Sequence, residues 1–265
     1  MQLNIVPART GLNWARQGIR TFWRQPLAMS GLFFLLMAVV SLVSTVPVIG
    51  GALALVLLPA LTLGMMAATE VAEDKRFPLP GVLFVAFKPG AQRQGMLQLG
   101  AWYAVGFLII MGASTLADGG TFALVYLTGA NMSPEVVNSA SFQAALWVSM
   151  VLYIPLAMMF WHAPALVHWQ GVAPLKSLFF SFVACARNLR AFMVYVAVWF
   201  GLFIAAATLA MLVTSMLGDP SLLMAILMPA GLMVAAMFFA SMVYSVRDCF
   251  RISDDAHAPH GHGDE

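Results

Sequence analysis

The chain is predicted to be all-α: a polytopic membrane bundle of six transmembrane helices, arranged as three hairpins, each preceded by a basic amphipathic interfacial helix. Three observations predict it. Of 265 residues 62% are apolar and only 9% charged, against roughly a quarter charged in soluble chains. The apolar residues gather in six runs, each near the ~20 residues a helix needs to cross a hydrocarbon core. None of the six contains Lys, Arg, Asp or Glu. A helix satisfies its own backbone in lipid, so strands are not needed anywhere. A net charge of +2 and two cysteines argue against basic nucleic-acid binders and disulfide scaffolds.

From Asn13 to Gln25, Trp14, Ala15, Gly18, Ile19, Phe22 and Trp23 alternate at helical spacing with Arg16, Gln17, Arg20, Thr21, Arg24 and Gln25. Such a helix is expected to lie in the headgroup plane. Arg16, Arg20 and Arg24 would contact lipid headgroups, Trp14 and Trp23 would anchor at the interface, and Pro26 would mark the bend into the first span. Residues 1–26 therefore read as an N-terminal amphipathic segment and 27–246 as the membrane domain.

The spans are read at Leu27–Thr45, Ile49–Ala68, Met96–Ala117, Phe142–His162, Ala191–Leu217 and Leu222–Val246. Val46–Gly51, which joins the first two, has no polar side chain. A shallow re-entrant hairpin fits it as well as full crossing does, and the span lengths favour crossing. Glu70, Glu73, Asp74, Lys75 and Arg76 read as a solvated cap. Gly81–Lys88, broken by Pro89-Gly90, is a weaker interfacial segment. In the loop after the third span, Thr121–Leu127 is expected to dip into the interface, and Ser133-Pro134-Glu135 reads as a helix start. Trp161 and Trp169 are expected to anchor the end of the fourth span, packed with His162 and His168. Before the fifth span, Leu175, Leu178, Phe179, Phe182, Val183 and Ala186 oppose Lys176, Arg187 and Arg190, and the two arginines are expected at lipid headgroups.

All 13 basic residues fall before the first span, between the second and third, between the fourth and fifth, or after the sixth; the other connections hold only Asp118, Glu135 and Asp219. Cytoplasmic loops retain Lys and Arg, so both termini are expected in the cytoplasm of a bacterial inner membrane. No cleavable signal peptide is expected. Cys185 and Cys249 fall on the reducing side as small interfacial hydrophobes. Pro59 to Pro78 and Pro155 to Pro174 share a spacing of 19 residues, and with the repeated order of segment, span, turn, span this predicts a triplicated hairpin. Pro59, Pro155 and Pro229 would kink their helices.

Transporters and proton pumps usually carry ionisable residues in their spans. Here the spans hold hydroxyls and His162 but no Lys, Arg, Asp or Glu. His162 and His168 lie about 240° apart on a helix and cannot jointly grip a metal from one face. The tail 247–265 reads as His-rich and solvated, with His257, His260 and His262 as weak candidates for loose transition-metal binding. Gly112-Ala113-Ser114 lacks the partners of a serine nucleophile. Gly201 with Ala205, Gly231 with Ala235, and Ala236 with Ala240 have the spacing of close helix packing. No cofactor is expected, and no enzymatic activity.

Four stretches carry a resemblance: IVPARTGLNWARQGIRTFWRQPLAMSGLFFL, VPVIGGALALVLLPALTLGMMAA, FWHAPALVHWQGVAPLKSLFFSFVACARNLRAF and FRISDD. Together they resemble an uncharacterised family of six-span bacterial inner-membrane proteins over nearly the whole chain. The repeated basic helix and hairpin is distantly similar to the membrane domains of some glycerophosphodiester phosphodiesterases, without their catalytic domain. The resemblance implies topology and location. An accessory or membrane-organising role is expected, seated on anionic lipid, with a protein partner or a second copy as further partners and no nucleic acid. The alternative is handling of a lipid or hydrophobic solute in a cavity between the hairpins.

Overall fold

A computed structural model describes residues 2–90, 92–219 and 221–251. It is an all-α bundle. Helix α1 spans Thr10–Phe22, α2 Pro26–Ser44, α3 Gly50–Glu73, α4 Gln92–Asp118, α5 Thr121–Thr128, α6 Pro134–Val137, α7 Ala140–Phe160, α8 Ala163–Gln170, α9 Pro174–Arg187, α10 Leu189–Leu217 and α11 Leu222–Cys249. Six stretches, five of them α2, α3, α4, α10 and α11 and the sixth α7 continuing into α8, are long and apolar enough to cross a membrane. Helix starts follow local chemistry. Pro26, Pro134 and Pro174 open α2, α6 and α9, where a missing N–H costs nothing. Ser139, rather than Ser133, supplies a side-chain cap: its hydroxyl accepts from the Phe142 amide at 3.3 Å, starting α7. Asp118 accepts from the amides of Gly120 and Phe122 at 2.9 and 2.6 Å and so caps α5.

The first two spans are long, unbroken helices joined by a tight turn, in which Val48 takes a positive φ of 69°. The fourth stops at Trp161-His162 and restarts as α8 behind Pro164. Pro59, Pro155 and Pro229 each lie within the second helix of a hairpin, α3, α7 and α11.

The segments that precede the hairpins pack in cyclic order. Helix α1 lies against α11 and α10 of the third hairpin, a 3-10 segment at Pro80–Phe87 against α3 of the first, and α9 against α7 of the second. Each docks on the hairpin that comes before its own around the ring. The middle segment differs from the expected basic amphipathic helix, because PGVLFVAF holds no charge and takes 3-10 form. A second departure is the two-residue antiparallel pair of Gln2–Leu3 with Phe250–Arg251. Backbone before α1 and after α11 meets there and pairs, although no strand is needed to cross lipid.

Three apolar clusters fill the bundle. One lies among α3, α4, α5 and α7, one among α1, α8, α9, α10 and α11, and one among α2, α3, α11 and Leu83 of the 3-10 segment. The backbones approach closely where α1 crosses the third hairpin. A Cβ on Gly11 would collide with the Ala191 carbonyl, and one on Gly18 with Ser241. Only glycine permits that spacing.

Candidate functional site

All the loops and segments that hold the basic residues meet at one end of the bundle. Arg16, Arg20, Arg24, Arg187 and Arg190 are exposed there, so all five reach the surface that would face headgroups. Arg24 also donates to the Glu73 carbonyl at 2.7 Å. Trp23 and Trp169 are exposed as interfacial anchors would be, at 58% and 38%.

Trp14 and Trp161 correct the expectation. Trp14 is fully buried against Phe192 and Tyr195, and its indole donates to Asp248 at 2.8 Å. Trp161 is half-buried, stacks edge-on with Phe192, Tyr195 and Phe238, and donates to Ser245 at 3.0 Å. The apolar face of α1 is spent on protein rather than on lipid. His257, His260 and His262 lie outside the described residues, and no metal-binding cluster of His, Cys, Asp and Glu occurs among the described ones.

Glu70 and Glu73, read as a solvated cap, join the helix ends instead. Arg247 in the last turn of α11 pairs with Glu73 at 2.7 Å and with Glu70 at 3.1 Å. Tyr244 donates to Glu73 at 2.9 Å, and its hydroxyl lies 2.6 Å from that of Thr21 on α1. Arg76 and Asp74 do form an exposed pair.

Beneath this surface, His162 is enclosed at the break between α7 and α8. Its Nδ1 lies 3.7 Å from Cys185 Sγ and its Nε2 3.3 Å from Ser245 Oγ, while Phe192 and Phe250 meet its ring edge-on. Ser181 of α9 donates to the Met158 carbonyl and accepts from the His162 amide, closing the break. Asn188 donates to the Asn4 and Ala184 carbonyls and accepts from the Val6 amide, which fastens the N-terminal strand. Both cysteines are free and buried, and burial pushes the Cys185 thiol up from its ordinary range. The group holds a helix break together. Nothing in the sequence pattern pointed to it, because its members come from four separate stretches.

Toward the opposite end, the second hairpin, the first hairpin and α5 line an open-sided cavity of about 520 Å³. Its lining includes Tyr103 of α4 and Tyr153 of α7, hydroxyls 3.1 Å apart. Phe107, Phe122 and Tyr126 form aromatic walls and a roof. Helix α5 is the segment read as an interfacial dip. It is hung between Gly119, Gly120 and Gly129, all at positive φ, where glycine carries no Cβ penalty.

Of the small-residue pairs, Ala236 and Ala240 are buried against the first hairpin. A Cβ on Gly201 or Gly231 would meet nothing within 4 Å, so those faces are open.

Six apolar helices in hairpins, with the basic residues held at one end, define a polytopic α-helical integral membrane protein. A probable inner membrane protein of Burkholderia thailandensis is 39% identical over 258 residues, which covers 96% of each chain. The chain belongs to the family of that protein and is a multi-pass protein of the inner membrane. No family model and no solved structure matches it. The comparisons lend no support to the distant likeness to glycerophosphodiester phosphodiesterase membrane domains.

Proposed function

We propose that the protein is an accessory, membrane-organising component of the inner membrane, without a catalytic step of its own, seated with both termini in the cytoplasm and its basic end against anionic lipid. The observation that carries this reading is the gathering of exposed Arg16, Arg20, Arg187 and Arg190 at one end of the bundle, none of them in an ion pair among the described residues. Each such cation contributes about 1 kcal/mol near a negative surface. A protein partner or a second copy would meet α10 or α11, where Gly201 and Gly231 leave the surface open.

Native mass spectrometry of the detergent-extracted protein tests the lipid contact. Wild type is expected to retain phosphatidylglycerol or cardiolipin, and the variant carrying Arg16→Gln, Arg20→Gln, Arg187→Gln and Arg190→Gln to lose most of it. Equal retention by the two would sink the proposal. For sidedness, a reporter fused after Ser133 should be active outside the cytoplasm and one fused after Glu265 inside it.

The cavity favours a second reading, in which the protein handles a lipid or hydrophobic solute. A bundle that only filled its own core would have no need of such a space, since interiors pack with few voids larger than a water molecule.

A further inference from the structure

Two hydroxyls that face each other share one proton, so one O–H of the Tyr103–Tyr153 pair is left to donate elsewhere. Neither hydroxyl has another partner among the described residues. The two serines in the lining are already engaged, Ser44 with the Val40 carbonyl and Ser149 with the Ala145 carbonyl, both in their own helices, and the remaining lining hydroxyl, that of Tyr126, belongs to a side chain 61% exposed at the edge of the space. No Lys, Arg, His, Asp or Glu lines the cavity. On α4 the lining runs from Tyr103 to Met111, about 12 Å of helix rise. The space is therefore long, rich in aromatic side chains and uncharged, with a hydrogen-bond donor at the tyrosine pair.

We propose that this cavity binds one uncharged membrane lipid whose polar group is a carbonyl. The spare tyrosine hydroxyl donates to the carbonyl oxygen, and Phe107 and Phe122 flank the apolar body. The proposal rests on the lipid-handling reading above and names the class of ligand. A phospholipid fits poorly, because a phosphate buried with no cation beside it is strongly unfavourable. A plain hydrocarbon would leave the donor unmade, at a cost that a carbonyl removes. The volume falls in the range of sites for small lipophilic ligands, roughly 300–1,000 Å³. Tyr153 is 40% exposed, so the cavity is open beside the hydroxyl pair and a chain leaves it there.

The test uses the full-length protein in detergent with two probes, decylbenzoquinone and decylbenzene, which differ in the carbonyls. Wild type is expected to bind the quinone more tightly. In the variant carrying Tyr103→Phe and Tyr153→Phe, quinone affinity should fall about tenfold while decylbenzene binding stays as it was. Gly51 lines the cavity, and a Cβ there meets nothing within 4 Å, so Gly51→Phe should fill the space and weaken both probes. If the double variant holds the quinone as tightly as wild type, or wild type does not separate the probes, the carbonyl assignment fails and the lipid-handling reading stands. If wild type binds neither probe, or Gly51→Phe leaves both unchanged, that reading fails too.

Discussion

Gly18 shows how narrow the tolerance is at a single residue. Its Cα rests against Ser241 of α11 closely enough that a Cβ would overlap side chain and backbone together, and backbone cannot give as a flexible side chain can. Gly18→Leu is expected to destabilise the protein by about 1–3 kcal/mol or more, read as a lowered unfolding temperature in detergent. Gly112→Ala is the control, since a Cβ there meets nothing within 4 Å. Cys185 allows a second check. It is 3% exposed and its thiol is held above its ordinary value by burial, so at neutral pH it is both protonated and out of reach. A maleimide should leave it unlabelled in the native protein and label it after SDS; rapid native labelling would show that α9 does not close over the helix break. At the far end, Asp219 accepts from the Ser221 hydroxyl and amide, which holds its carboxyl below the ordinary value.

Among the elements, α5 depends most on one side chain. Asp118 satisfies two amides at its first turn, and glycines flank it at both ends. Asp118→Ala should cost about 1 kcal/mol of helix stability and raise amide hydrogen exchange across Thr121–Thr128 while leaving α4 protected. Unchanged exchange would mean that packing on Phe142 and Phe107, not the cap, holds the roof. The spans were legible because twenty apolar residues in a row are a property of one segment, needing no knowledge of neighbours. The observed helices begin and end within a few residues of the reading, except that α3, α4 and α11 carry polar turns past the apolar run. Helix α1 was legible as a helix but not as a packed one. An apolar stripe with tryptophan suits a lipid surface and a protein groove alike, since both are apolar. What marks it as packed is Asp248, which accepts from Trp14 across 234 residues of sequence. The cavity was hidden for a related reason. Tyr103 and Tyr153 look like two interior aromatics until the chain brings their hydroxyls together.

At the scale of the whole molecule, the first hairpin meets the second through α3 and α4 and the third through α11, and the segments that precede the hairpins add a second set of joints, each laid across the preceding hairpin. Helix α1 closes that ring through α10 and α11, and the Gln2–Leu3 pairing with Phe250–Arg251 and the bonds from Asn188 to the N-terminal stretch add to the closure. Helix α1 precedes α10 and α11 in the chain, so it must wait for the intervening spans to enter the bilayer before its partners exist. Until then its tryptophan face has only lipid to rest on, and a product that stops after α9 would keep it there, open to protease. Helix α1 is thus made ahead of its partners and reaches its place only after them.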